Sequence, residues 1–149
     1  MNKKIAVAGS AVLAVALLSG FAFRGGHHGF ARDPERIKQM LTWKLNDKLE
    51  DLDASEAQSK SIHAVKDRLF DEGVQLVQEQ RAVRAEALTQ LESANPDAQK
   101  LHSLVDARID AFRAFAHKAT DAVLEIHRTL TPGQREELFK EYREHIDAK

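Results

Sequence analysis

The sequence predicts an all-α protein of four helices, in which the second and third form a long antiparallel hairpin. Capping residues and prolines mark four helix starts, near residues 33, 55, 95 and 131. Apolar residues recur at helical spacing after each start. Between Phe30 and Pro132 the only glycine is Gly73, and no alternating apolar and polar run is bounded by turn residues, so the sequence gives no support for strands.

The residues before the first helix have the pattern of an export signal. Asn2-Lys3-Lys4 is basic, and Ile5–Phe23 carries no charge and ends in small residues suited to cleavage. We therefore expect residues 1–22 to be a signal peptide, with an uncleaved membrane anchor as the alternative because about 20 apolar residues can span a bilayer. Residues 23–32 are expected to be a flexible linker that carries a Gly-Gly-His-His run, and residues 33–149 one helical domain.

The first helix is predicted to begin at Asp33-Pro34, where a capping carboxylate precedes a proline at the first helical position. The second helix begins at a capping box, in which the Ser55 hydroxyl caps a backbone N–H and the Gln58 side chain reaches back to the cap. This helix is predicted to end near residue 93. The third helix is predicted to follow Asn95-Pro96 and to end near residue 128.

The fourth helix has the clearest start, Leu130-Thr131-Pro132-Gly133-Gln134. Thr131 and Gln134 form a second capping box, and Pro132 suits the first helical position because it lacks an N–H that would be unpaired there. Leu130 directly precedes the cap and can pack on the first turn as a hydrophobic staple. A short helix to about residue 146 follows.

The two long helices expose more apolar surface than the short helices can cover. At 1.5 Å per residue they are about 50 to 60 Å long. A tight turn at Ala94-Asn95 joins them, so a residue of one helix faces a residue of the other when the two residue numbers add up to about 190. We therefore expect a homodimer or a surface that binds other proteins. The alternative is that the additional apolar residues thicken a four-helix core.

Composition excludes several function classes. Without Lys3 and Lys4, the 22 basic residues become 20 against 23 acidic ones, a net charge of −3 that gives no electrostatic support for a nucleic-acid partner. The chain has no cysteine, which excludes thiol catalysis and cysteine-type zinc sites. It also has no G-x-S-x-G or H-E-x-x-H motif. We therefore expect a protein that is not an enzyme.

Histidine provides the candidate metal ligands, since the chain contains seven. In the predicted hairpin His63 lies opposite His127, with Asp67 one turn from His63, and this trio is the best candidate site. The alternative is an ordinary surface pair, because a zinc site needs three or four convergent ligands. Further candidate ligands are a pair spaced four residues apart in the third helix and two histidines of the linker: His117, Asp121, His27 and His28.

The two capping boxes in an exported, all-helical chain resemble the Spy/CpxP group of periplasmic proteins. Relatives of that group include zinc-resistance-associated proteins and periplasmic heavy-metal sensors. The box at Leu130–Gln134 matches the L-T-x-x-Q motif of the group. The box at Ser55 keeps the hydroxyl residue and the glutamine but has Ala54 where the group usually has leucine. The resemblance covers about residues 33–146.

This resemblance implies an intertwined, cradle-like antiparallel homodimer that binds misfolded envelope proteins in the periplasm without ATP. The absence of a glycine-rich phosphate loop agrees with that expectation. The alternative that the resemblance implies is a periplasmic sensor of zinc, nickel or copper, or a zinc-binding resistance protein, with a membrane signalling protein as its partner. Sensors often carry methionine where this chain has Asp121. No cofactor is required, and zinc is the candidate metal.

A client-binding surface is expected where apolar side chains lie beside arginines. Arginine attracts a partner over a distance, and apolar contact then holds it. The alternative is a solvated flank, on which the arginine stems only cover the apolar stripe. The candidate residues are Phe70, Val77, Phe112, Phe115, Arg68, Arg84 and Arg113.

Overall fold

The computed structural model describes residues 33–147, which form four α-helices. The predicted signal peptide and linker lie outside the described residues. The all-α prediction is confirmed, since residues 33–147 contain no strand. No helix in this range is both long and apolar enough to cross a membrane. The helices are α1 (Pro34–Asp51), α2 (Glu56–Glu92), α3 (Ala98–Thr129) and α4 (Pro132–Asp147).

Side-chain caps define the helix starts. Asp33 accepts a hydrogen bond from the backbone N–H of Arg36 at 3.0 Å, with Pro34 at the start of α1 as the sequence predicts. The start of α3 differs from the prediction, because the Asp97 carboxylate caps the N–H of Lys100 at 3.1 Å. Aspartate caps a helix as well as asparagine does, so α3 begins at Ala98 and the Asn95-Pro96 pair lies in the turn.

The α2–α3 hairpin carries ion pairs along one flank. Residues 68 and 86 are 18 positions apart, which is five turns, so they lie on the same line of α2. The numbers of the paired residues add up to between 186 and 193, in agreement with the predicted register. Because these pairs are partly exposed, each stabilises the fold by less than about 1 kcal/mol. The pairs are Arg68–Glu125 at 2.6 Å, Glu72–Lys118 at 3.0 Å and Glu86–Lys100 at 3.0 Å.

The apolar core lies in the half of the hairpin away from its turn. One cluster fills the α2–α3 interface, and a second joins α1 to the base of the hairpin. Ile126 packs against both clusters, and Leu138 brings α4 onto the second one. The first cluster contains Val65, Leu69, Phe115, Ala119 and Ala122. The second contains Leu45, Leu49, Leu52, Ile62 and Leu130.

Both capping boxes are present at the base of the hairpin. The Gln58 amide oxygen accepts from the Ser55 N–H at 2.9 Å, and the Ser55 hydroxyl caps the N–H of Gln58 at 3.2 Å. The box of α4 repeats this pattern, with the Gln134 oxygen accepting from the Thr131 N–H at 2.9 Å. The Thr131 hydroxyl accepts from the N–H of Gln134 at 3.3 Å.

The two glutamines also bond to each other. The Gln58 amide nitrogen donates to the Gln134 amide oxygen at 2.8 Å and to the Thr129 carbonyl at 2.8 Å. The Gln134 nitrogen donates in return to the Leu52 carbonyl at 3.0 Å. Each glutamine therefore caps its own helix and also bonds to the backbone just before the other box.

We predict that Gln134→Ala lowers the free energy of unfolding by about 1 to 3 kcal/mol. The change removes a cap bond, takes one of two acceptors from the Gln58 amide nitrogen, and removes the Gln134 donor from the Leu52 carbonyl. Urea denaturation followed by circular dichroism measures the effect. Gln78→Ala, at an exposed position of α2, is the control and should change stability by less than about 0.5 kcal/mol. Equal effects of the two substitutions would contradict the role of the paired glutamines.

Candidate functional site

Helix α1 covers only part of the hairpin. It packs on α2 through three hydrogen bonds, Lys38 with Asp71 at 3.4 Å, Thr42 with Lys66, and Asn46 with His63 at 2.6 Å. The residue numbers of each pair add up to 108 or 109, and a constant sum means that the two helices are antiparallel. By the same sum, Asp33, directly before α1, is level with about residue 76 of α2. The last 16 residues of α2, about 24 Å of helix, extend past α1.

The apolar face that α1 covers continues past it. Phe70 and Leu88 are five turns apart on the same line of α2. Phe70 is 3% exposed, with the Lys38 ammonium 5.7 Å from its ring centre, whereas Leu88 is 59% exposed. Gly73 and Leu91 form a second pair of this kind, since Gly73 is buried and Leu91 is 61% exposed. The exposure therefore reflects the short length of α1.

Helix α3 also exposes apolar side chains in the half near the turn. Ile109 and the nearby Val105 are 50% and 57% exposed. His127, on the same line of α3 as Ile109 and five turns further on, is exposed too, with its ring 6.2 Å from the ring of Phe139 in α4. Leu88 lies about half a turn around α2 from the ion-pair residues of that helix, and Ile109 lies about half a turn around α3 from those of α3. We name Leu88, Leu91, Val105 and Ile109 the distal apolar surface.

The predicted client-binding residues divide into core and surface. Phe70 and Phe115 are buried in the single chain, Phe70 beneath α1 and Phe115 between α2 and α3, so they belong to the core rather than to a surface. Val77 and Phe112 are half-buried. Two of the predicted arginines, Arg68 and Arg113, pair with Glu125 and Asp110, and Arg84 is exposed.

Sequence reasoning predicted from the helix lengths that apolar surface would stay uncovered, and α1 indeed has 18 residues against 37 in α2. It did not identify Leu88, Leu91, Val105 and Ile109 as that surface, because periodicity alone does not show where a covering helix ends.

His63 and His127 lie level on the hairpin but contact different helices. The Nε2 atom of His63 lies 2.6 Å from the Asn46 amide oxygen in α1, and because that oxygen only accepts, Nε2 carries the proton. Burial lowers the pKa of His63, the charge of Lys66 lowers it further, and Asp67 opposes both. His127 lies beside Phe139 of α4. The structure therefore does not bring the two imidazoles into one site within the chain.

The remaining candidate ligands are also separated. Asp67 lies 3.0 Å from the Lys66 ammonium and 3.8 Å from that of Lys38. Burial acts to raise the pKa of Asp67, but the hydrogen bond and charge of Lys66, with the charge of Lys38, hold it below its usual value. His117 is exposed, and Asp121 lines a shallow groove of about 170 Å³ between α2 and α3.

Within residues 33–147 no three or more histidine and carboxylate side chains converge into a group that could hold a metal ion. His27 and His28 lie outside the described residues. The metal site stays a prediction.

The fold and this surface define a class of protein, a long helical hairpin whose base is covered by two short helices and whose other half exposes apolar side chains. The heavy-metal resistance family matches residues 6–137, and the chain belongs to that family. It is a helical family similar to Spy/CpxP, and membership of the Spy/CpxP group itself stays a prediction. No curated protein and no solved structure shows a significant match.

We predict that acidification destabilises the protein through His63. Because the pKa of His63 is lowered in the folded chain, the unfolded chain, with a histidine pKa of about 6.5, binds the proton more readily. The contribution of His63 to the free energy of unfolding is therefore fully present above about pH 6.5. It is lost as the pH falls from about 6.5 towards the lower pKa of His63 in the folded chain. Urea unfolding between pH 7.5 and 5.5 measures this loss.

The variant His63→Gln should show a smaller loss of stability over this range than the wild type. His102→Gln, at an exposed position of α3, is the control and should keep the wild-type dependence. An unchanged pH dependence in His63→Gln would show that another group is responsible.

Proposed function

We propose that the protein acts in heavy-metal resistance in the periplasm as an ATP-independent binding protein that holds misfolded envelope proteins. The family match supports the link to heavy metals, and proteins of this family are typically periplasmic. Soft metal ions bind the thiolate and imidazole groups of other proteins, so misfolded envelope proteins are an expected result of metal stress. This role requires no catalytic residue and no cofactor.

The distal apolar surface carries this proposal. Its four side chains are 50% to 61% exposed and lie on the flank of the hairpin opposite the ion pairs. Exposed apolar side chains gathered on one flank of a folded chain are typical of interaction surfaces. Arg84 is exposed beside this surface and can attract an acidic partner before apolar contact forms.

The intertwined homodimer expected from the sequence is part of the same proposal. Two hairpins would share their distal apolar surfaces in a cradle, and each chain would then bury apolar area that a single chain leaves exposed. The midpoint of thermal unfolding would rise with protein concentration in that case. Sedimentation velocity at micromolar concentration distinguishes dimer from monomer.

A metal-binding resistance protein or sensor is the second candidate, and the description of the matching family favours it. His63 and His127 are level on the hairpin, and a second chain or the linker histidines would have to complete a site of three or four ligands. A sensor would also need a membrane signalling partner.

We predict that the double variant Leu88→Gln, Ile109→Gln loses most of its ability to suppress client aggregation. Both substitutions replace exposed apolar side chains, so the fold should keep its stability while the binding surface becomes polar. Light scattering of a reduced, aggregating client protein measures the suppression. Leu124→Gln is a matched control, since Leu124 is 45% exposed but lies outside the distal apolar surface. Equal loss in the control would contradict the assignment.

A zinc titration separates the two candidates. If His63 and His127 bind zinc, calorimetry should show binding near pH 7.5 that is lost near pH 5.5, because protonated imidazole cannot bind a metal. His63→Ala with His127→Ala should abolish that binding and preserve client protection. Zinc binding by a wild type that protects no client would favour the sensor instead. Unchanged zinc affinity in the double variant would show that these histidines are not ligands.

A further inference from the structure

We propose that two copies of this chain associate through the outer faces of their α1 helices, which pair antiparallel about a two-fold axis. The outer face is the side of α1 that points away from α2, and its residues are Arg36, Met40, Trp43 and Asp47. This contact is separate from the distal apolar surface and does not rest on the proposed function.

The outer face carries two large apolar side chains that lie outside the core of their own chain. Trp43 is 66% exposed and Met40 is 48% exposed, whereas Leu45 is buried. Because each residue turns a helix by about 100°, Trp43 lies nearly opposite Leu45 on α1. Tryptophan is enriched among the residues that contribute most to binding between proteins. The two side chains therefore have the character of an interface centre.

The four residues of the outer face are spaced like the seam of a coiled coil. Arg36, Met40, Trp43 and Asp47 follow one another at intervals of four, three and four residues, the alternation of d and a positions in heptads. They lie within about 60° of one another around the helix, and all four are exposed. A second helix can therefore lie along them for about three turns.

The order of the four residues identifies the partner as a second copy of the chain. In an antiparallel pair of identical helices, residues whose numbers have the same sum face each other, and a two-fold axis forms each contact twice. Arg36 with Asp47 and Met40 with Trp43 both add up to 83. A guanidinium then faces a carboxylate at both ends of the contact, and a thioether lies against an indole on both sides of its centre.

Both charged groups are available for this contact. Within residues 33–147 neither the Arg36 guanidinium nor the Asp47 carboxylate has a hydrogen-bond or ion-pair partner, since Arg36 bonds to Asp33 only through its backbone N–H. In a parallel pair each residue would face its own copy, so that like charges would meet at both ends. The charges therefore favour the antiparallel pair.

Pairing through α1 leaves the distal apolar surfaces open. The two-fold axis would pass between Leu41 and Thr42, with the two hairpins on the outer sides of the helix pair. Asp33 is level with about residue 76 of α2, and the N-terminus of α1 points towards the hairpin turn. The distal halves of the two hairpins would therefore extend past the helix pair at opposite ends.

The fluorescence of Trp43 tests the contact directly, since Trp43 is the only tryptophan of the chain. The full-length sequence is expressed, and the purified protein is studied by tryptophan emission and sedimentation velocity. A contact between two short helices is small, so association is expected to be weak, and concentrations from about 1 to about 500 μM are compared. We expect the emission to shift to shorter wavelengths as the dimer forms, because the indole leaves water.

Two results would overturn the proposal at once. One is a chain that stays monomeric at the highest concentration. The other is a dimer in which the emission of Trp43 is unchanged, because the second copy would then contact a different surface. The double variant Leu88→Gln, Ile109→Gln should keep the emission shift. Loss of the shift in that variant would place Trp43 of one chain against the distal apolar surface of the other and would also overturn the proposal.

A charge exchange tests the antiparallel register. Arg36→Asp should raise the midpoint concentration of the emission shift at least about tenfold, because Asp47 of each chain would then face an aspartate. Combining it with Asp47→Arg should restore the midpoint to within about threefold of the wild type, because opposite charges face each other again. Both changes suit the helix dipole, with an acid near the N-terminus and a base near the C-terminus, so α1 should remain folded.

Arg143→Asp, at an exposed position of α4, is the matched control, with the same change in net charge and no expected effect on the midpoint. Equal weakening in this control would show that net charge alone acts, and it would overturn the contact. Failure of the double exchange to restore the midpoint would overturn the antiparallel pairing.

Discussion

The bond between Gln58 and Gln134 ties together the base of the hairpin, where both short helices are attached. Each glutamine caps its own helix, Gln58 also donates to the Thr129 carbonyl at the end of α3, and Gln134 donates to the Leu52 carbonyl in the loop after α1. The two connections are therefore held together at the base of the hairpin. Since α1 ends at one of them and α4 begins at the other, and both pack on the core there, the short helices lie along the half of the hairpin that starts at this base.

The unequal helix lengths then give the molecule two different halves. Near the base, α1 covers the line of α2 that holds Phe70, and Ile62 and Val65 are almost fully buried there. Towards the turn, Leu88 on that line and Ile109 of α3 are exposed, and no helix in residues 33–147 covers them. The hydrophobic stabilisation is concentrated in one half, at about 25 cal/mol per Å² of buried apolar area. The other half keeps its apolar area available for binding.

The sequence predicted what depends on neighbours along the chain. The caps at Asp33 and Ser55 gave the helix starts, and the tight turn near residue 95 gave the hairpin register. It could not predict the burial of Phe70, because that depends on where α1 lies across α2. It placed His63 and His127 at the correct level but not in the correct direction, since one residue turns a helix by about 100° and a contact needs level and rotation together.

The polar contacts between α1 and α2 explain why α1 stays at one position on a long apolar face. An apolar contact alone would allow α1 to shift by a turn along the stripe at little cost, since the stripe repeats. Lys66 is buried and bonds to Thr42, and Lys48 is buried and pairs with Glu141 of α4. A shift by one turn would break the hydrogen bond between Lys66 and Thr42 and the ion pair between Lys48 and Glu141, and breaking contacts of buried ammonium groups is costly. These lysines therefore help to set the register of α1, and through it the length of hairpin that remains open.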